Sequence, residues 1–316
     1  MEFLTLMFIL VSLYIGWTIG ANDAANCLGP SVGAGILKLP KAILLVGVSV
    51  LLGSILQGRG TIETVGTRVV ELSNVGMLMV FCALLGAALL KTFYILKGIP
   101  VSTTQAVIGA LLGISLFGGV PVRWDFVTGL FLAWLFTPLI AALFSFITYY
   151  LVALALGGMK LYFIQRYLKI LVVLSGVFLA YSLGANNIGN TVGFIVGMEV
   201  WGLASAGIIG GFCMSLGVLF CKRTVKTVGM GITELDGWMA FAAQMGTAIA
   251  VYILTLFAIP TSITTAMIGS VAGVGLVKGI STIDRWQVFK ILRGWILTPI
   301  LGGVFAIVLF KIFELL

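Results

Sequence analysis

Apolar runs long enough to cross a bilayer recur from one end of this chain to the other: 3 to 19, 75 to 90, 126 to 156, 200 to 220, 238 to 258 and 295 to 313. A transmembrane helix needs about 20 predominantly apolar residues. Strands of a membrane barrel would instead give segments of about ten residues with alternating polarity. Composition agrees, with only 9% charged residues among 316, against about a quarter in ordinary soluble domains. The pattern predicts an all-α polytopic membrane protein with about 10–12 membrane-embedded helices, some of them broken or re-entrant.

The formal charge of +8 comes from Lys and Arg scattered over short inter-helix stretches such as 38–41, 160–169 and 222–226. That is the distribution of cytoplasmic loops beside a lipid bilayer, not of a nucleic-acid-binding surface. Histidine is absent, and Cys27, Cys82, Cys213 and Cys221 form no CxxC pair. No nucleophile with a base and no clustered acid pair can be assembled, so an enzyme is excluded and no cofactor is expected. The first apolar run begins with Glu2 rather than a basic segment and leads straight into a polar motif, so it is read as a permanent span.

The chain is duplicated. "IGANDAAN" at 19–26 returns as "LGANNIGN" at 183–190, "TVGTRVVEL" at 64–72 as "TVGMGITEL" at 227–235, and "IPVSTTQAVIG" at 99–109 as "IPTSITTAMIG" at 259–269. Arg123-Trp124 with "WLFTP" at 134–138 returns as Arg285-Trp286 with "WILTP" at 295–299. The order is kept and the offset stays between 160 and 164, which defines repeats of 1–160 and 165–316. Duplicated halves are the pattern of secondary transporters, whose substrate and coupling ions bind near the midplane between repeats. An inverted arrangement, in which each motif meets its copy from the opposite side, is favoured.

Pro100 breaks the helix before it, and Ser102, Thr103 and Thr104 suit the start of the next one; Pro260, Ser262, Thr264 and Thr265 repeat the device. A helix that starts inside a membrane presents free N–H groups and the positive end of its dipole, which suits an anion. Two such starts facing each other would surround a tetrahedral oxyanion. Asp23 adds one negative charge, and Asn22, Asn26, Asn186, Asn187 and Asn190 add amide oxygens, a hard oxygen environment for an alkali cation. Neither the Asn blocks nor the Ser/Thr blocks contain Lys or Arg. An anion there would be neutralised by helix ends and co-bound cations, a physical basis for symport.

"GANDAAN" and "GANNIGN", each followed in its half by a Pro-Ser-x-Thr block, resemble the duplicated signature of the inorganic phosphate transporter family, the sodium- or proton-coupled phosphate permeases. The resemblance covers nearly the whole chain. It implies an inverted-repeat fold in the cell membrane and phosphate uptake into the cytoplasm driven by a cation gradient through alternating access. Ser102, Thr103, Thr104, Ser262, Thr264, Thr265, Asn26 and Asn190 are the expected phosphate ligands. Asn22, Asp23, Gln105, Asn186 and Asn187 are the expected sodium ligands. The chain departs from the family at Asn187, where the signature often has a second Asp, and it has no large hydrophilic loop between the halves. Glu63, just before "TVG", is either a coupling or gating acid or a solvated loop residue.

Sodium is preferred to protons because proton coupling usually recruits chains of titratable groups, while this core offers one Asp and many neutral oxygens. At least two sodium ions are expected to accompany a phosphate dianion. Proton coupling, another tetrahedral oxyanion, or a passive anion channel remain the alternatives. The apolar faces of 126–156 and 295–313 could serve as scaffold and homodimer surface.

Overall fold

The computed structural model describes residues 2–33, 35–72, 75–97, 101–222, 225, 237–278 and 285–315. The first half contributes α1 (Glu2–Gly33), α2 (Leu39–Gln57), a short α3 (Arg59–Glu63) continued by a π-helical turn (Thr64–Arg68), α4 (Met77–Leu96), α5 (Thr103–Phe117) and α6 (Trp124–Leu156). The second contributes α7 (Leu161–Gly197), α8 (Leu203–Val218), α9 (Gly237–Leu256), α10 (Ile263–Lys278) and α11 (Arg285–Glu314). Seven of these are long and apolar enough to cross a membrane and three more are shorter apolar helices, in line with the expected number.

Contacts between α1 and α7, the equivalent helices of the two halves, show how the repeat is arranged. The Ser12 hydroxyl donates to the Thr191 carbonyl, Gly176 faces the Cys27 carbonyl, and the Ser31 hydroxyl donates to the Val172 carbonyl at 3.4 Å. Rising numbers on one helix meet falling numbers on the other. The two helices therefore cross antiparallel, and the repeat is inverted.

The inversion sets two helical hairpins against each other. α4 starts beside the beginning of α1, where Thr5 donates to the Met77 sulfur at 3.4 Å, and α5 returns to the same face, its end at Gly118 lying against Met79. α9 instead runs parallel to α7, with Ser175 bonded to Gln244 at 3.0 Å and Asn186 to Thr255 at 2.9 Å. α10 folds back beside it, so that Thr247 donates to the Met267 sulfur at 3.6 Å. The hairpins enter from opposite faces, and their turns meet in the interior, where the Thr104 hydroxyl donates to the Thr261 carbonyl at 3.1 Å.

The two faces differ in charge. Lys38 and Lys41 follow the end of α1, Lys160, Arg166 and Lys169 surround the start of α7, and Lys222 follows α8, all on one face. On the other face lie Glu2 and Glu199, together with the exposed pairs Arg59–Glu63 at 2.8 Å, Arg123–Glu71 at 2.8 Å and Lys311–Glu314 at 2.7 Å. α6 and α11 turn apolar side chains such as Leu132, Leu139, Leu154 and Ile300 outward, as a bilayer-facing surface requires. Cys27, Cys82 and Cys221 are free and buried, and burial pushes the Cys221 thiol up to about 11.

Packing obeys the same symmetry. A Cβ added to Gly20 would sit 1.9 Å from the Met214 carbonyl oxygen, and one added to the equivalent Gly184 would sit 2.0 Å from that of Val50. Gly109 against Pro299 and Gly269 against Pro138 repeat the pattern, both at 2.2 Å. Without a hydrophobic force between helices in lipid, such backbone-to-backbone approach supplies the dispersion energy that holds them. Gly184→Val is expected to lower stability by about 1–3 kcal/mol, read as a fall in thermal midpoint in detergent. Gly129→Val, where an added Cβ meets nothing within 4 Å, should leave the midpoint unchanged.

Candidate functional site

Each hairpin turn starts a helix inside the protein. The Ser102 hydroxyl oxygen accepts the Gln105 N–H at 3.3 Å and that of Ser262 accepts the Thr265 N–H at 3.2 Å. Both serines expected to bind the anion thus serve first as helix caps, with their hydroxyl hydrogens left to donate. The remaining first-turn N–H groups and the positive ends of α5 and α10 stay directed at the interior.

The Asn motifs reach across the repeat. Asn190 donates to the Thr104 hydroxyl at 2.8 Å, and Asn26 donates to the Thr264 hydroxyl at 3.5 Å. Asn26 is the repeat equivalent of Asn190, and Thr104 that of Thr264, so one contact is made twice, each time joining a helix of one half to the hairpin of the other. Asn190 also donates to the Asn187 side-chain oxygen at 3.1 Å. Around this junction Thr103 Oγ1, Gln105 Oε1, Asn187 Nδ2 and Asn190 Oδ1 are buried without a hydrogen-bond partner among the described residues. Buried polar groups are rarely left so, and a site that carries both unused donors and unused oxygens suits an anion and a cation side by side. Thr265 is buried in the first turn of α10.

The second turn is held from several sides. Asn186 donates to Thr255 at 2.9 Å and to the Ile259 carbonyl at 3.0 Å, while its oxygen accepts the Thr261 N–H at 2.7 Å. Its amide, expected to serve a sodium ion, holds the turn. The "WLFTP" block braces the same turn: Trp134 donates to the Pro260 carbonyl at 2.8 Å, and the hydroxyls of Thr137 and Thr261 lie 3.0 Å apart. Thr255, Thr261, Trp134 and Thr137 were not singled out from the sequence, although the repetition of the Trp-Thr-Pro block was the available signal.

The first turn holds a charged pair. Lys91, only 2% exposed, places its ammonium 3.4 Å from Asp23 Oδ1 and donates to the Val101 carbonyl at 3.2 Å; Asn22 donates to the same carboxylate oxygen at 3.0 Å. This corrects the expectation of a core whose one charge is an acid. The apolar run read from the sequence stops at residue 90, whereas α4 continues to Leu96 and carries Lys91 into the interior.

Glu63 pairs with Arg59 at 2.8 Å and Arg68 at 3.6 Å, about a third exposed. Its partners are those of an interfacial ion pair, as are those of Glu71, and they tie it to the surface rather than to the Asn and Thr junction. Gln57 ends α2, half-buried. Pro100, Lys226, Glu234 and the "TVGMGITEL" block lie outside the described residues.

A family model described as the phosphate transporter family matches residues 19–163 and again 160–306. The chain belongs to the phosphate transporter family. Members similar to it include a protein of Pyrococcus horikoshii provisionally named a phosphate permease, 28% identical over 98% of this chain and 98% of its own length. Another is the sulfate permease CysP of Bacillus subtilis, 30% identical over 96% of this chain and 87% of its own length. A solved structure titled the sodium-dependent phosphate transporter shares the fold, with a TM-score of 0.89 and 21% identity over the whole of both chains. As a member of the phosphate transporter family, the protein is a multi-pass membrane transporter and not an enzyme.

Proposed function

We propose that the protein is a sodium-coupled symporter that carries inorganic phosphate into the cytoplasm by alternating access. The observation that carries this reading is the meeting of two oppositely inserted hairpin turns at Thr104 and Thr261, with unpartnered buried polar atoms around them. Two helix N-termini and the hydroxyls of Thr103, Thr104 and Thr264 supply donors to an oxyanion, with Asn26 and Asn190 orienting them. Oxygens of Gln105, Asn187 and Asn22 supply the cation side. A dianion moved without cations works against about 2.3 kcal/mol per charge per 100 mV, so co-bound sodium both neutralises the site and drives the cycle. Because the hairpins enter from opposite faces, releasing one turn opens the site to one face while the other stays closed.

The face carrying Lys38, Lys41, Lys160, Arg166 and Lys169 is read as cytoplasmic by the positive-inside bias. The α4–α5 hairpin then enters from outside and the α9–α10 hairpin from the cytoplasm.

Radiolabelled phosphate uptake into proteoliposomes tests the reading. Uptake should require an inward sodium gradient, stop when sodium is replaced by choline, and exceed that of sulfate. Flux that continues without a cation gradient would make the protein a channel. Flux that follows the pH gradient and ignores sodium would make it proton-coupled, and transport of sulfate in preference to phosphate would change the substrate.

A further inference from the structure

The two halves differ at the point where charge matters most. Asp23 in the first Asn motif corresponds to Asn187 in the second. Lys91 lies eight residues before Ile99, and the residue eight before the equivalent Ile259 is Val251. That register is supported in space, since Gly86 packs against Ala306 and its equivalent Gly246 against Ser145. The carboxylate and the ammonium are thus present together in one half and absent together in the other.

The ammonium is held by a carboxylate oxygen of Asp23 at 3.4 Å and a main-chain carbonyl oxygen of Val101 at 3.2 Å. Both are ligand types that a hard cation takes. Val101 directly precedes the cap of α5, so the charge lies at the edge of the anion cradle. The separation from Asp23 is longer than the 2.7–2.9 Å or so of a tight charge-assisted hydrogen bond. Burial of both side chains, 2% and 8% exposed, means that neither charge is left to water.

We propose that Lys91 is a built-in cation: its ammonium fills a position at Asp23 and Val101 that a co-transported cation would otherwise take. The protein therefore carries its oxyanion with one coupled cation fewer than the same site without the lysine. The inference rests on the symport reading above and concerns how many cations move, not whether they do.

Three forms of the full-length protein test it: wild type, Lys91→Met, and Lys91→Met with Asp23→Asn. In detergent, the thermal midpoint of Lys91→Met should gain a saturable rise with sodium chloride, relative to choline chloride, beyond that of wild type. The double variant should lack this gain. Equal sodium dependence in wild type and Lys91→Met, or a gain retained in the double variant, would overturn the proposal.

The second readout is the steady-state phosphate accumulation ratio in proteoliposomes as a function of membrane potential. Each additional net charge carried multiplies that ratio tenfold per about 59 mV. Lys91→Met should show one such additional factor. The charge-neutral double variant should move the same net charge per phosphate as wild type, and one charge fewer would show that Asp23 already holds a cargo ion in wild type. That comparison stands even where Lys91→Met alone does not survive purification. Failure of wild type to transport phosphate under any cation gradient would sink the symport reading instead, and would leave the sodium-linked midpoints to decide the lysine's role by themselves.

Discussion

Asp23→Asn is expected to destabilise the protein by about 3–5 kcal/mol, because it leaves the buried Lys91 ammonium without its counter-charge. Were Asp23 a sodium ligand alone, the change would cost only coordination, with size and hydrogen bonding preserved. The structure changes the balance of effects. Lys91 would retain the Val101 carbonyl and a neutral amide, neither of which offsets a desolvated charge in a membrane protein's interior. Removing the charge as well, in Asp23→Asn with Lys91→Met, should restore most of the loss, since a neutral pair of similar volume carries no desolvation penalty. Thermal unfolding of the purified variants, with a double-mutant cycle, measures this coupling. Additive losses in the two single variants would show that the pair contributes nothing.

Thr104→Val should cut phosphate affinity by about fivefold to 150-fold. Its hydroxyl accepts from Asn190 and donates to the Thr261 carbonyl, and each buried group left unpaired costs about 1–3 kcal/mol. The change keeps shape, so the fold should survive. Thr104→Ser, which restores the hydroxyl, should recover most of the binding. Thr264→Val, at the equivalent place, should have a smaller effect, because its contact with Asn26 is 3.5 Å long and Thr264 is only half-buried. Calorimetric titration with phosphate, and with sodium in the absence of phosphate, separates the two ligands. Equal losses for Thr104→Val and Thr264→Val would contradict the asymmetry between the two Asn–Thr contacts.

The duplication was legible because its blocks keep their order and their polar residues, and the Asn and Ser/Thr sets it marked do converge. Inversion was not legible from run lengths. The parity of crossings in each half decides orientation, and α2 (Leu39–Gln57), a crossing of the first half, is not among the apolar runs read from the sequence. Lys91 escaped because hydropathy falls at its own position, one residue past the apparent end of the span. The role of Asn186 depended on where the second turn passes: its oxygen meets the Thr261 N–H across 75 residues of sequence, a contact that no local pattern encodes. Glu63 shows the reverse. Its helical spacing from Arg59 already suited an i,i+4 ion pair.

The different partners of the two turns have a thermodynamic side. In an inverted repeat with identical halves, a two-fold rotation would turn the inward-open form into the outward-open one, the two would have equal energy, and an unliganded carrier would spend equal time in each. Asn186, Trp134 and Thr137 all bind the α9–α10 turn, while the α4–α5 turn rests on Lys91 and its carboxylate. A bond whose partner residue the other half lacks, as with Lys91 against Val251 or Thr261 against Val101, lifts that degeneracy, and about 1.4 kcal/mol of difference shifts the two populations tenfold apart. The face on which the empty carrier rests is then decided by these few side chains, since the fold itself, turned about its two-fold axis, prefers neither.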